Sequence, residues 1–372
     1  MARKVNTELR DAQIDHAVDL RAYSDNVVRR IISILNRADA ALFSELVQKL
    51  EYMTPERFTV KRLEVMLESV RELNHTMFAE VDSTLREEIK GLTAVELQFQ
   101  EGLLANNMPP SIDIARVDIN QAYAGAMSRP FQGALLSEFM KDQEASKAKL
   151  IRRTIADGYV QNRTTDQIVR DLRGTRENKY RDGILEGNRR EVAAVVRTAL
   201  SHTAQFAKDR VTEANADILG NLQWLSTLDA RTTPECQVRD GMVYTLDHKP
   251  VDHEYPWGAG PGRLHWQCRS TYVQLTKSWK ELGAEGEVGE WEDFDAGTRS
   301  SMDGQVPAKT TYEEWLGNQS EKRQVQVLGA TRAKLFNEGG LSFDELRNAR
   351  GEEVTLDDLR KKYASAFKKA GL

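Results

Sequence analysis

Residues 221–229 read NLQWLSTLD, residues 241–247 GMVYTLD and residues 269–275 RSTYVQL. Each run alternates apolar and polar positions, the period of a strand that lays one face on a core. Asp240-Gly241 separates the first two runs, and a Pro- and Gly-rich loop from His248 to Gly262 separates the last two. The spacing predicts a small antiparallel sheet of about three strands.

On either side of this sheet the period changes. From Asp15 to Glu51, Val18, Val27, Val28, Ile31, Ile32, Leu35, Leu42, Phe43, Leu46 and Leu50 recur three and four apart. That spacing predicts one long amphipathic helix or two. Thr54-Pro55 fits an N-cap followed by proline at the first helical position, and the stripe resumes at Phe58, Leu63, Leu67, Val70, Phe78, Val81, Leu85 and Ile89. An antiparallel helical hairpin is the simplest packing, and its apolar stripe allows self-association through the N-terminal helices or burial on the chain's own core.

Helix breakers mark the rest: Met108-Pro109-Pro110, Arg129-Pro130, and Thr164 with Gln167 as a capping box. Thr311/Glu314, Ser342/Glu345 and Thr355/Asp358 repeat the cap spacing near the C-terminus. The fold expected is α+β and predominantly helical, with the small antiparallel sheet inserted in the C-terminal half. The expected divisions are an amphipathic helical region over 1–108, a helical part with a basic segment over 109–215 and the sheet module over 216–278. An acidic linker over 279–309 and short helices over 310–372 complete the chain.

Composition limits the function classes. The chain has 372 residues, 40% hydrophobic and 29% charged, with a net charge of -5, so it can bury a core and lacks a wholly cationic surface. Two cysteines exclude a disulfide-stapled scaffold and fit a reducing compartment. The start has no apolar leader and no run suits a membrane span, so a soluble protein made in a cytosol is expected.

The densest chemistry lies in and around the sheet. His265 and Cys268 are three apart and Cys236 sits in the preceding turn. Strand pairing would bring three soft ligands around Zn²⁺, with a fourth from His202, His248, His253 or Asp240. The plainer alternative is a pair of small buried cysteines beside a histidine that bonds a loop; a disulfide is a third. Asp229 and Arg231 flank a tight turn and read as a turn-stabilising pair.

No G-x-S-x-G elbow, Walker A loop, strand-linked G-x-G-x-x-G or H-E-x-x-H occurs, so no catalytic residue is assigned. Residues 147–197 carry 13 basic and seven acidic side chains. Within them Arg170, Arg173 and Arg176 recur at i, i+3, i+6, a stripe that would meet a DNA backbone together with Arg152 and Arg153, or be a solvated helix face. Without interleaved aromatics, such contact would be non-specific and salt-sensitive.

These residues resemble a known family: the phage head morphogenesis proteins of the Mu protein F and SPP1 gp7 type, also called minor head or minor capsid proteins. The carriers are Val196-Arg197-Thr198-Ala199 with Ser201-His202, residues 226–236 (STLDARTTPEC), Asp240-Gly241 with Tyr244, and His265-Trp-Gln-Cys268-Arg269-Ser270. Residues 129–133 (RPFQG), 168–176 (IVRDLRGTR) and 312–316 (YEEWL) are similar to recurring elements of one branch. The resemblance spans roughly residues 110–360. It singles out Arg197, Asp229, Arg231, Asp240, Gly241 and Arg269 as motif residues.

Many members carry extra cysteines where this chain has Thr233 and Ser270, so only Cys236, His265 and Cys268 carry over from a cysteine-rich metal site. The resemblance implies a non-enzymatic virion protein at the portal vertex or inner head, folded in the host cytoplasm. It would assist head morphogenesis, DNA packaging or genome delivery. The implied partners are the portal protein, capsid components and genomic double-stranded DNA held non-specifically, with no membrane during assembly. The implied cofactor is none, or a structural zinc. A metal-dependent nuclease or transferase acting on DNA or a head protein is the alternative.

Overall fold

The computed structural model describes residues 5–52, 59–284, 298–348 and 350–372. The fold is α+β and mostly helical, with its sheets in the C-terminal half. Helix α1 (Val5–Glu51) is continuous, which at 1.5 Å per residue makes it about 70 Å long. Helix α2 (Val60–Asn107) follows. Tyr23 bonds Glu88, Arg37 bonds Glu80 and Ser69 bonds Glu45, so residue numbers rise on one helix as they fall on the other. The two helices are therefore antiparallel, as their stripes predict. The cap expected at Thr54-Pro55 lies outside the described residues.

The chain divides into two compact units: 22–95 with 120–204, and 1–21 with 96–119 and 205–372. These cut across the divisions expected from sequence, because α1, α2 and α6 (Ile184–Ala214) each run from one unit into the other. In the first unit, Leu42, Leu46, Leu50, Leu63, Leu67 and Val70 share a core with α4 (Leu136–Val160) and α5 (Thr165–Arg173). Burial on the chain's own helices thus accounts for this part of the stripe. A methyl group at Gly158 would lie 2.4 Å from Ile168, so glycine is what lets α5 approach α4 this closely. Helix α3 (Ile119–Ser128) ends before the Arg129-Pro130 break.

The second unit holds a four-stranded antiparallel sheet in the order β3-β2-β1-β4. Its strands are β1 (Leu219–Leu225), β2 (Val243–Thr245), β3 (Pro250–Val251) and β4 (Thr271–Thr276). Leu222, Trp224, Tyr244 and Tyr272 point into one core with Trp257, Cys236 and Cys268. Alternation predicts a wet second face for β4, but Val273 and Gln274 are buried as well. Helical segments of the same unit cover it: Asn6 accepts from the Thr276 amide at 3.2 Å, and Lys208 of α6 donates to the Tyr272 carbonyl.

The expected linker over 279–309 needs correction at its C-terminal end. Strands β5 (Thr298–Ser301) and β6 (Gly304–Pro307) form a hairpin there, and Arg299 is buried. The C-terminal helices are not a separate layer either. Tyr312 and Trp315 of α8 (Tyr312–Gly317) and Phe343 of α11 (Phe343–Leu346) share a core with Leu228, Val238 and Tyr255. Between them lie α9 (Glu321–Leu328) and α10 (Ala330–Lys334); α12 (Leu356–Lys362) and α13 (Ala364–Lys369) close the chain. Thr164, Thr311, Ser342 and Thr355 each cap a helix as the spacing predicts.

Lys208 gives this unit a measurable signature. It is wholly buried, donating to Gln13 at 2.8 Å and Thr271 at 3.2 Å, with the Tyr272 ring 4.2 Å away. Burial pushes its pKa down to about 7, although Glu96 and Asp209 pull the other way. The unfolded lysine titrates near 10.4, so between about pH 7 and 10 the unfolded state holds the extra proton and folding is favoured as pH rises. Below about pH 7 the cost is fully present. Relative to Lys208→Met, the wild type should gain about 1.4 kcal/mol of unfolding free energy per pH unit between about pH 8 and 9.5. Urea titrations at several pH values check this, and a constant difference would refute it.

Candidate functional site

Strand β1 leads into a turn that ends in the short helix α7 (Pro234–Gln237), and residues 265–270 return to begin β4. Cys236, on α7, lies with its Sγ 3.7 Å from that of Cys268 and 3.2 Å from His265 Nε2. Among the described residues these three form the one group of metal-ligating side chains, with their ligand atoms within 4.8 Å of one another. A tetrahedral zinc with Zn–S bonds of about 2.3 Å spaces two sulfurs about 3.8 Å apart, so the pair fits that geometry. His265 Nδ1 lies 2.9 Å from the Trp266 carbonyl, and donating to it leaves Nε2 as the atom that meets sulfur.

Among the described residues none of the four expected sources of another ligand joins this group. His202 belongs to the other compact unit, where its ring lies 5.4 Å from Phe131. His253 Nε2 is 2.8 Å from the Val243 carbonyl, and His248 stacks on Trp257. Asp240 is taken by Arg299. His202 is not among the grouped ligands, which corrects its place in the expected set.

Cysteine chemistry here is a coupled pair. Donation from the Cys236 thiol, which outweighs the opposing effect of burial, together with His265 draws the Cys268 pKa well down. The same bond and burial push Cys236 well up. Burial would lower His265, but the Cys268 bond and charge outweigh it and its pKa is raised. Both sulfurs are nearly inaccessible, at 1% and 2% exposure.

Asp229 is half of a turn lock, though its partner is not the one expected. Arg269 approaches both carboxylate oxygens, one at 2.7 Å, while the Arg231 backbone donates at 2.9 Å. The Arg231 side chain stays 78% exposed, 3.8 Å from Asp229. Burial works against the carboxylate, but the Arg269 bond and charge hold the Asp229 pKa below the usual range. Tyr312 closes the lock by donating to the Asp229 carbonyl at 2.7 Å.

A second lock was not legible in sequence. Asp240 accepts from the Ser226 amide at 2.7 Å and from Arg299 at 2.8 and 3.0 Å. Arg299 also donates to the carbonyls of Thr310 and Ser226. Gly241 follows with φ +81, its amide donating to the Trp224 carbonyl at 2.9 Å. Only a residue tolerant of the left-handed region turns the chain here without strain. In the other unit Arg197 pairs with Asp25 at 3.0 Å.

The cationic stripe is shorter than expected. Helix α5 ends at Arg173 because Gly174 adopts φ +88, so Arg170 and Arg173 share a helix and Arg176 lies beyond it. Arg173 packs over Tyr180. Arg152 pairs with Glu64 at 2.5 Å and Arg153 lies 3.5 Å from Asp157. Lys147 and Arg189 share Asp39. Acids outside the basic segment thus neutralise part of its excess, which sequence distance conceals.

Among the described residues, no helix is long and apolar enough to cross a membrane. No family model, curated protein or solved structure matches the chain.

Proposed function

We propose that this chain is a structural minor head protein of a phage, placed at the portal vertex or inside the head. It would help head morphogenesis, DNA packaging or genome delivery without catalysing a reaction. The observation that carries this reading is how the resemblance-bearing residues of the sheet module are spent. Asp229 is bonded to Arg269, the Arg231 amide and Thr232, Asp240 and Ser226 are bonded to each other, to Arg299 and to backbone, and the two cysteines are buried. Carboxylates and guanidinia spent this way fasten a turn-rich fold.

In this reading the portal protein and capsid components are the partners. The exposed Arg170 and Arg173 give non-specific backbone contact with packaged double-stranded DNA, and no membrane takes part in assembly. Cys236, His265 and Cys268 would hold a zinc that ties α7 to the start of β4 and lends the module rigidity. The protein folds in the host cytoplasm and ends in the virion.

Imaging of particles carrying a labelled chain tests the location. The label should concentrate at or near the portal; an even shell distribution, or absence from mature heads, overturns the reading. Elemental analysis of the purified chain should find about one zinc per molecule, and below about a tenth removes the metal from the proposal. DNA incubated with the chain and divalent metal should remain intact.

A further inference from the structure

Beside the Cys–His cluster lies a cleft of about 200 Å³. Arg21, Arg231, Arg269 and His265 line it, with the hydroxyl residues Thr227, Thr232, Thr233 and Ser270; among the described residues no carboxylate residue does. Asp229 pairs with Arg269. The Arg231 side chain is 78% exposed, with Nε 3.8 Å from the Asp229 carboxylate that its own amide also bonds. Trp266 is also on the lining and 42% exposed, an uncommon position for so large a ring. Gln267 beside it takes φ +56, a turn that lets residues 265–268 bend back to the cluster.

We infer that this cleft binds a nucleotide-type ligand, a terminal phosphate with the adjacent base laid on Trp266. Guanidinium forks and hydroxyls are donors that match phosphate oxygens, and the described lining carries cationic and hydroxyl side chains without a carboxylate. The volume is below the range that encloses a whole drug-sized ligand, so it suits the phosphate and leaves the base at the mouth. There an exposed indole offers a stacking face that every base accepts. A free nucleotide and the end of a DNA strand present this same chemistry. The inference goes beyond the head role, since absence from particles would leave it untouched.

Calorimetric titration of the full chain tests it with four probes: inorganic phosphate, a deoxynucleoside 5′-monophosphate, and a short single-stranded oligonucleotide with or without a 5′-phosphate. The 5′-phosphorylated probes should bind, and Arg231→Ala should weaken them about fivefold or more. Trp266→Ala should weaken mononucleotide and oligonucleotide about fivefold or more while leaving inorganic phosphate within about twofold; Trp266→Phe, which keeps a ring, should retain most of the binding. Tighter binding of the mononucleotide assigns the ligand as free, and tighter binding of the oligonucleotide assigns it as a strand end. Binding undetectable at about 1 mM, equal affinity with and without the 5′-phosphate, or indifference to both substitutions would overturn the assignment.

Discussion

Asp240→Ala should destabilise the sheet-bearing unit by about 3–5 kcal/mol, the usual cost of leaving one member of a buried ion pair uncompensated. The Arg299 side chain is only 4% exposed and that of Asp240 is 0% exposed, so neither can turn to water without opening the core. Losing the carboxylate also strips the Ser226 amide of its acceptor. Asp240→Ala with Arg299→Met should recover at least about 2 kcal/mol of that loss, because no unpaired charge then remains. All six tryptophans lie within 205–372, so intrinsic fluorescence follows this unit during denaturant unfolding. A coupling between the two substitutions below about 1 kcal/mol would show that the pair does not act as a unit.

The second large effect belongs to the other unit, which has no tryptophan. Asp39 accepts from Lys147 at 2.5 Å and from Arg189 at 2.5 Å, and the Lys147 and Asp39 side chains are 2% and 3% exposed. Asp39→Ala at neutral pH should cost about 3–5 kcal/mol, dominated by Lys147. Arg189, with its side chain 14% exposed, reaches solvent more readily. Burial already lowers the Lys147 pKa while Asp39 raises it, so removing Asp39 lowers it further. Above that lowered pKa the folded variant holds the lysine neutral while the unfolded chain still binds the proton, so the variant regains stability as pH rises toward about 9. Hydrogen exchange in peptides from 22–95 and 120–204 should accelerate in Asp39→Ala at pH 7 and approach the wild type at higher pH. Protection independent of pH would refute the role given to Lys147.

The helices were legible because their signals are local. Thr164 bonds the Gln167 amide three residues on, and Thr311, Ser342 and Thr355 do the same. A cap needs only its own turn, so spacing suffices to find it. The strands were legible for a similar reason, since Leu222 and Trp224 declare one face of β1 by alternation alone. The meeting of Cys236, His265 and Cys268 follows from the antiparallel pairing of β1 with β4, which brings the segments flanking those strands together.

The candidate site failed to be legible wherever its partner lay far along the chain. Arg299 pairs with Asp240 from 59 residues away, inside a stretch whose Gly, Glu and Asp content reads as linker. A single arginine has no periodicity, and no motif marks it. Arg231 looked like the turn's cation because it is two residues from Asp229, yet Arg269, 40 residues away, takes the carboxylate. His202 looked available to the cysteines because a sequence does not state which side chains converge, and the grouped ligands are Cys236, His265 and Cys268 without it.

The amino-acid order by itself determined the long helices, the strands β1, β2 and β4, and the helix caps. These depend on forces acting within a few residues: backbone hydrogen bonding, side-chain period and turn geometry. Only the tertiary structure decided which charges are buried in pairs, which arginines remain exposed beside Trp266, and where the chain divides into units. Those outcomes rest on desolvation and Coulomb interactions between groups that the path of the chain brings together, such as Lys147 and Asp39, 108 residues apart.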